Sequence, residues 1–349
     1  MHQDDPIETA EALIAAGRAA EAAQGLRARL DAGRGGALAR VTLVQALLAA
    51  RDIPAALAEA REAVTLFPQA APVITALGEA LLAAEQLPTA IAELQRALRR
   101  DPDAARARHL LAEAWLAAGE ADKALETGAG DPALIARAEA IKAAPRSDPG
   151  YVRHLFDQFS ADYDLRMRRH LRYAAPETLL GLAAMVMPGR EALRILDLGC
   201  GTGLAGEVFK PLAARLDGVD LSPAMIERAR ARGIYDHLAV ADLEQALAEE
   251  GPSYDLILAA DTLVYLGDLA PVFHGAAARL APDGFFLFTT ERCERGFELG
   301  PKRRWRHSES YLRETARAAG LTPAGLVEAA PRWEKGQPVP GFAVALTAG

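Results

Sequence analysis

The spacing of small and large apolar residues along the chain separates two regions. In the first region an alanine recurs with a period of 34 residues, and a large apolar residue follows each one. These alanines are Ala12, Ala46, Ala80 and Ala114, and a second set with the same period is Ala22, Ala56, Ala90 and Ala124. Antiparallel helices approach closely only where small side chains face each other, so the pattern predicts a stack of helical hairpins.

This 34-residue period resembles that of the tetratricopeptide repeat. Residues 37–70 and 71–104 match the pattern best, and the terminal units match it less well, as is usual for repeats that cap a stack. We predict an all-α, tetratricopeptide-like repeat domain over residues 1–130. Proline, glycine and polar residues indicate a linker over residues 131–150.

Beyond residue 150, apolar runs typical of buried strands alternate with helical segments. The predicted strands are 193–198, 216–220, 237–241, 255–260 and 284–290, and a final hairpin pairs 326–333 with 342–346. Repeated strand–helix units predict a doubly wound, mostly parallel sheet. The hairpin adds one antiparallel strand, so residues 151–349 are expected to form an α/β, Rossmann-like domain with a seven-stranded sheet.

Composition supports this division and excludes several classes of protein. Of 20 aromatic residues, only Phe67 and Trp115 precede residue 150. The net charge of −8 argues against nucleic acid or an anionic membrane as a partner, and no apolar run is long enough to cross a bilayer. Because the chain has only Cys200 and Cys293, a disulfide scaffold and a cysteine-rich zinc site are excluded, and a cytoplasmic location is expected. No metal site is predicted.

The first candidate chemistry lies in the glycine-rich turn after the strand 193–198. Gly201 and Gly203 fit the GxGxxG spacing of dinucleotide-binding loops, which is a weak signal by itself. Asp197 lies two positions before Gly199, where its carboxylate would repel a pyrophosphate bound at the helix N-terminus. A ligand that carries an ammonium and a sulfonium, S-adenosylmethionine, suits this carboxylate better than a nicotinamide dinucleotide.

Five motifs in order carry a resemblance to class I S-adenosylmethionine-dependent methyltransferases. They are Ile195–Gly203, Val219–Met225, Ala241–Leu243, Ala260–Tyr265 and Arg279–Gly284. Residues 151–164 also resemble the helical lead-in of methyltransferases in ubiquinone and biotin biosynthesis, which folds over the cofactor. With the repeats included, the layout resembles a bacterial family of tetratricopeptide-repeat-containing methyltransferases.

The resemblance implies a set of cofactor-binding residues in this chain. They are Tyr163, Asp197, Gly199, Gly201, Gly203, Asp220, Leu221, Met225, Asp242, Leu243 and Ala260. Asp220 is expected to accept hydrogen bonds from both ribose hydroxyls, and Asp242 is expected to accept one from the adenine amino group. The Leu243 amide would donate to an adenine ring nitrogen, and Tyr163 would close over the methionine end.

The sequence leaves the methyl acceptor open, because an oxygen, nitrogen or carbon atom of a small molecule or a protein fits the motifs. His307 is a candidate catalytic residue because it follows the fifth strand, where class I enzymes often build the acceptor pocket. His154 is a second candidate because it lies in the lead-in. The basic run at 302–306 is a candidate site for an anionic acceptor.

Two classes of function are compatible with this organisation. In the first, the chain is a methyltransferase whose repeats recruit a protein partner or the acceptor, or else form a homodimer. In the second, the chain is an interaction protein whose methyltransferase fold only senses S-adenosylmethionine. The presence of Asp197, Asp220, Asp242 and the motif glycines favours the enzyme.

Overall fold

The computed structural model describes residues 5–128, 130–300 and 303–348. The chain divides into two compact units, Met1–Ala143 and Ala144–Gly349. The described part of the first unit is helical, with α1 (Pro6–Ala15), α2 (Ala19–Asp31), α3 (Ala37–Ala49), α4 (Ile53–Leu66), α5 (Ala71–Ala83), α6 (Leu87–Arg100), α7 (Ala105–Ala117), α8 (Ala121–Thr127) and α9 (Pro132–Ala143).

Successive helices of the first unit pack against each other, from α1 on α2 to α8 on α9. The alanines with the 34-residue period lie where the repeat pattern places them. Ala46, Ala80 and Ala114 are buried, and their counterparts ten positions later are buried in all four repeats. Ala12 differs, because it is exposed in the terminal repeat, where one helix face remains uncovered.

Helix α9 occupies part of the segment 131–150 that the sequence assigns to a linker, and here the structure differs from the prediction. The Asp131 carboxylate accepts hydrogen bonds from the N–H groups of Ala133 and Leu134, at 3.0 and 3.2 Å. Pro132 takes the first position of the helix, which proline tolerates well. Leu134 and Ala138 are buried in a core shared with α7 and α8. The proline that indicates a linker therefore begins a helix.

The second unit alternates strands and helices. Its strands are β1 (Leu193–Leu198), β2 (Ala213–Asp220), β3 (His237–Val240), β4 (Tyr254–Ala259), β5 (Leu280–Arg292), β6 (Phe297–Leu299), β7 (Trp305–His307), β8 (Leu321–Ala329), β9 (Trp333–Glu334), β10 (Gln337–Pro338) and β11 (Gly341–Ala348). Its helices are α10 (Pro149–Phe159), α11 (Tyr163–Leu165), α12 (Ala175–Val186), α13 (Leu204–Phe209), α14 (Pro223–Ala231), α15 (Leu243–Ala248), α16 (Ala270–Arg279) and α17 (Glu309–Ala318). Short 3-10 turns occur at Ser160–Asp162, Lys210–Leu212 and Leu263–Tyr265, and a π turn at Arg166–His170. Among the described residues, no helix combines the length and the apolar character that crossing a membrane requires.

The central sheet has the strand order β3-β2-β1-β4-β5-β11-β8. The strands from β3 to β5 pair in parallel, and β11 runs antiparallel to both β5 and β8. The predicted fold class is confirmed, because these seven strands are mostly parallel and the C-terminal hairpin supplies the antiparallel one. The sequence did not predict the additional hairpin of β6 and β7, in which β7 pairs with the end of β5.

Both faces of the central strands are buried. On β1 and β4, neighbouring side chains enter two different cores: Leu196 and Ile257 lie in one, and Ile195 and Leu256 lie in the other. Helices α15, α16 and α17 contribute to the first core, and α12 and α13 contribute to the second. Burial on two faces explains why apolar residues dominate these strands in the sequence, although Arg194, Asp197 and Asp255 interrupt them.

A buried arginine ties together the ends of two central strands. Arg332 lies just after β8 and is 1% exposed. It donates to Asp261 Oδ1 at 2.7 Å, pairs with Glu291 at the end of β5, and donates to Glu334 Oε1 at 3.1 Å. Arg304 donates to the other oxygen of Asp261 at 3.2 Å. Two cations thus face two buried carboxylates, and this pairing offsets the large cost of removing each charge from water.

We expect residues 144–349 to fold without the repeats. The cores of this unit are built from residues between 173 and 348, so they do not require the helical repeats. The isolated fragment should show the circular dichroism of an α/β protein and one cooperative thermal transition. An unfolded fragment would show that the two units share a core.

Replacing Arg332 with methionine should destabilise the 144–349 fragment strongly. The substitution leaves Asp261 and Glu291 buried with one cation fewer, and breaking such a pair costs about 3–5 kcal/mol of the free energy of unfolding. Urea unfolding of the fragment measures this change. The matched control is Arg313→Met, which removes an exposed pair with Glu309 and should cost less than about 1 kcal/mol. Equal losses in the two variants would contradict a structural role for the buried cluster.

Candidate functional site

A cleft opens at the carboxyl ends of β1, β2 and β4, where the strand order of the sheet changes direction. Ligands of doubly wound proteins bind at this position. The cleft has a volume of about 670 Å³, including the open space at its mouth. Eight of the eleven residues expected to bind the cofactor line it: Tyr163, Gly199, Gly201, Asp220, Leu221, Asp242, Leu243 and Ala260.

The glycine-rich turn after β1 forms the floor of the cleft. The N–H groups of Gly199 and Cys200 both donate to the Val219 carbonyl, at 2.8 and 3.0 Å. Gly199 has φ +68°, and a Cβ added there would lie 2.3 Å from Thr262 Cγ2. Gly201 has φ +55°, and a Cβ there would extend into the cleft, where the nearest side-chain atom is Tyr163 Cε1 at 4.0 Å. Both positions therefore require glycine, the first for packing and the second to leave space for a ligand.

Asp220 projects into the cleft from the end of β2. Its carboxylate accepts hydrogen bonds from the N–H groups of Gly201 and Ser222, both at 2.9 Å. Burial raises the pKa of Asp220 to about 6, and these two hydrogen bonds oppose the rise. A carboxylate has about four acceptor positions, so this side chain can accept hydrogen bonds from two further donors in the cleft.

Asp242 caps α15 on the other side of the cleft. Its Oδ1 accepts from the N–H groups of Glu244 and Gln245, at 3.0 and 3.4 Å, and its Oδ2 pairs with Arg146. The carboxylate that the sequence predicts to bind adenine is therefore already held from three directions. Leu243, the next residue, begins the helix and lines the cleft beside it.

Three aromatic rings cover the end of the cleft near Ala260. Phe156 of α10 makes edge contacts with Tyr163 and Tyr265, with ring centroids 6.0 and 5.5 Å apart. Burial raises the pKa of both tyrosines, so neither hydroxyl loses its proton at neutral pH. The Tyr173 hydroxyl donates to the Ala260 carbonyl at 3.1 Å.

The covering segment is tied to the walls of the cleft by its acidic side chains. Ser222 Oγ donates to Asp157 Oδ1, and Thr202 Oγ1 donates to Asp164 Oδ1. Arg232 pairs with the other oxygen of Asp164. These contacts hold the lead-in over the glycine turn.

Three of the predicted cofactor residues do not line the cleft, namely Asp197, Gly203 and Met225. Asp197 is 1% exposed and accepts a hydrogen bond from the Tyr235 hydroxyl at 2.7 Å, and burial raises its pKa to about 7. Gly203 caps α13, and Met225 is buried in α14. The sequence motifs therefore include residues that pack around the cleft as well as residues that line it.

The two candidate catalytic histidines lie outside the residues that line the cleft. His307 is fully buried, its Nε2 lies 3.0 Å from the Gly267 carbonyl and its Nδ1 lies 2.6 Å from Thr290 Oγ1. Burial lowers the pKa of His307 to about 4, so the ring is neutral and has a structural position. His154 lies on α10 with its Nε2 2.9 Å from the side-chain amide of Gln158.

The basic run 302–306 is largely engaged by acidic and aromatic side chains. Lys302 lies outside the described residues. Arg304 pairs with Asp261, and Arg306 Nε lies 3.6 Å from Glu291 Oε2. The Arg303 guanidinium stacks 4.2 Å from the ring centroid of Tyr151. The described part of the run therefore offers no separate cluster of exposed positive charge for an anionic acceptor.

Several residues that line the cleft come from a segment that the sequence assigns to a linker. Arg146, Ser147 and Pro149 all reach the cleft. Asp148 caps α10 by accepting from the Tyr151 N–H at 3.1 Å, with Pro149 at the first helical position. This capping signal is visible in the sequence, and it would have placed the start of the domain before residue 149. Among the described residues, no group of three or more histidine, cysteine or acidic side chains is arranged to hold a metal ion.

Comparison with known proteins agrees with this geometry. Residues 196–286 match the family described as methyltransferase domain, and residues 81–144 match the tetratricopeptide repeat. Human methyltransferase-like protein 27 is 35% identical over 138 residues, which are 39% of this chain and 55% of that protein. The ubiquinone biosynthesis O-methyltransferase of Xanthomonas axonopodis pv. citri is 30% identical over 149 residues, 38% of this chain and 62% of its own length.

Among solved structures, the magnesium protoporphyrin IX methyltransferase of Synechocystis aligns with 58% of this chain and 98% of its own, with a TM-score of 0.44 and 18% identity. The chain spans somewhat more than half the length of the curated relatives it matches. The matches to two family descriptions lie in the order that the two structural units show. Residues 196–286 are therefore similar to a methyltransferase domain, and residues 81–144, which precede them, are similar to the tetratricopeptide repeat.

Proposed function

We propose that this chain transfers a methyl group from S-adenosylmethionine to an acceptor that its repeats help to recruit. The observation that carries the proposal is the position of Asp220. Its partly buried carboxylate lies beside the glycine turn at the switch point of the sheet and keeps acceptor positions toward the cleft. A pair of ribose hydroxyls is the kind of donor that such a carboxylate binds.

The lining of the cleft fits the parts of this cofactor. Gly201 leaves the space that the methionine portion needs, because any side chain there would fill it. Val219, Leu221, Ala241 and Leu243 supply apolar surface for a purine. Asp242 and the Leu243 N–H are polar groups at that end, and Arg146 lies beside Asp242. Ala260 and Tyr163 lie toward the methionine portion, and the aromatic cover excludes water there.

When bound, the cofactor supplies an electrophilic methyl group on a sulfonium. The protein's task is to align a nucleophile with that group and to exclude water. Among the described residues that line the cleft, there is no histidine, and Tyr163 and Tyr265 keep their protons. Asp261 has both oxygens paired with arginine. An acceptor that arrives with its nucleophile already ionised therefore fits this lining best.

The atom that receives the methyl group is open among oxygen, nitrogen and carbon. Relatives named as O-methyltransferases match the domain over about 150 residues, which makes an ionised oxygen the first acceptor to test. His307 is not proposed as the base, because both of its ring nitrogens are engaged within the fold. His154 stays a weaker candidate on the helix that covers the cleft.

The alternative is an interaction protein whose methyltransferase fold only senses S-adenosylmethionine. Such a protein would bind the cofactor without transferring its methyl group. The acidic residues and glycines of the cleft are in place, which favours turnover over sensing alone.

Cys200 and Cys293 are both free, in keeping with the proposed cytoplasmic location.

The repeats are proposed to select the acceptor or a protein that carries it. A groove in the first unit lies between helices α3, α5 and α7, and its lining includes Gln45, Thr75, Glu79 and Arg106. Stacked repeats commonly bind peptides or protein surfaces in grooves of this kind. The lining also includes apolar residues such as Val41 and Ala76, and Glu79 and Arg106 pair with each other. The share of binding that these charged residues contribute should weaken as salt concentration rises.

Asp220→Ala should weaken binding of S-adenosylhomocysteine by the full-length protein. Loss of hydrogen bonds to a charged acceptor costs about 1.5–3 kcal/mol, which corresponds to roughly a 10- to 150-fold rise in Kd. Isothermal titration calorimetry measures this change. Glu309→Gln, at an exposed position of α17, is the control and should leave the Kd unchanged. Unaltered affinity in Asp220→Ala would remove Asp220 from the proposed site.

The affinity of the wild-type protein should fall as pH is lowered from 7 to 5. The pKa of Asp220 is raised to about 6, so acidification through that value protonates the carboxylate and removes its capacity to accept two hydroxyls. Asp220→Asn should bind more weakly and lose most of this dependence. Any dependence that persists in Asp220→Asn would come from other carboxyl groups whose pKa is raised by burial, such as Asp197 and Glu244.

Deleting residues 1–143 should leave cofactor affinity unchanged and should impair methylation of the native acceptor. If the repeats supply ground-state binding, the loss appears as a raised KM with little change in kcat. Steady-state transfer of a radiolabelled methyl group compares the two proteins. Unchanged kinetics would rule out recruitment. A change from dimer to monomer in light scattering would then assign the repeats to dimerisation.

A further inference from the structure

Residues 144–148, here called the wall segment, form one side of the cleft. The Pro145 carbonyl accepts from the N–H groups of Gly267 and Asp268, at 2.8 and 2.9 Å, and the Ser147 N–H donates to the Tyr265 carbonyl at 2.7 Å. Arg146 forms an antiparallel bridge with Leu266. The wall segment is therefore fixed to the loop after β4 like a short extra strand, and Arg146 lies at its centre.

The side chain of Arg146 reaches across the cleft edge to the start of α15. Its guanidinium pairs with the Asp242 carboxylate through one nitrogen and with the Glu244 carboxylate through another. All three side chains are about four-fifths buried, and Arg146 and Asp242 both line the cleft. A pair at that depth is less screened than one on the surface.

The two carboxylates need this cation. Asp242 and Glu244 are two residues apart and point to the same guanidinium, so without it they would repel each other. Two backbone N–H groups fix only Oδ1 of Asp242, whereas Arg146 fixes Oδ2. Together these contacts set the plane of the carboxylate, and the acceptor positions that remain on it face a defined direction.

We propose that Arg146 is a positioning residue for recognition of the purine: it orients Asp242 so that this carboxylate accepts a hydrogen bond from the exocyclic amino group of adenine. The inference rests on the proposed function, because it assumes an adenosyl ligand in the cleft. It gives the wall segment a role in selecting adenine over a purine that lacks the exocyclic amino group. A residue that only stabilised the fold would not affect that choice.

The test compares two ligands that differ at the purine amino group, S-adenosylhomocysteine and S-inosylhomocysteine. Calorimetry on the full chain measures the Kd of each for the wild type, Arg146→Ala and Arg146→Lys. Lysine keeps the charge, but it lacks the planar fork that bridges two carboxylates. The matched control is Arg313→Ala, which breaks the exposed pair with Glu309 away from the cleft.

The wild type should prefer the adenosyl ligand by about tenfold or more, since a site built for an amino donor rejects an analogue that lacks it. Arg146→Ala should raise the Kd of the adenosyl ligand about tenfold and change that of the inosyl ligand much less, so the preference collapses. Arg146→Lys should fall between the two, and Arg313→Ala should match the wild type.

A loss of affinity for both ligands by the same factor would overturn the proposal, because it indicates general damage to the cleft. An unchanged preference in both variants would overturn it equally. Thermal melting monitors folding, and Arg146→Lys decides the question if the alanine variant does not fold. Failure of the wild type to bind either ligand is a different result, because it would overturn the proposed function and this inference with it.

Discussion

The shape of the cleft depends on the cluster of buried, paired charges around Asp261. This residue follows β4 and has φ +56°, a conformation that costs energy for a side chain with a Cβ. Its N–H donates to Thr289 Oγ1 at 2.8 Å, and Arg332 and Arg304 hold its two oxygens. With Asp261 fixed, Thr262 is positioned against Gly199, which in turn shapes the glycine turn. One cluster of paired charges thus fixes both the end of the cleft near Ala260 and its floor.

Much of the fold was predictable from the sequence because its signals are local. The strands β1 and β4 are mostly apolar, with only Arg194, Asp197 and Asp255 as charged residues, since both faces of the sheet are covered. The 34-residue period of alanines arises because each helix pair repeats the same close contact. Gly199 and Gly201 stand out because a positive φ and a close approach leave few alternatives to glycine.

The parts that the sequence did not reveal involve partners far apart along the chain. Arg332 and Asp261 are 71 positions apart, and Arg146 and Asp242 are 96 apart. No spacing rule connects such residues, so an isolated arginine looks like a solvated one. His307 is the opposite case, because its position in the sequence stands out while its ring nitrogens are engaged within the fold. Its place after the fifth strand suggested chemistry, but the hairpin of β6 and β7 buries its ring against Gly267 and Thr290.

The wall segment also bears on how such two-part proteins can arise by gene fusion. Helix α9 ends at Ala143, and Pro145 already pairs with the loop after β4, so one residue separates the two. A recombination point placed at residue 151, where the methyltransferase resemblance begins, would replace Arg146 and Ser147 with foreign sequence. A point at residue 144 would keep the cleft whole. A fusion that preserves both α9 and the wall segment would therefore need its junction at about residue 144, although the stretch around it contains several prolines.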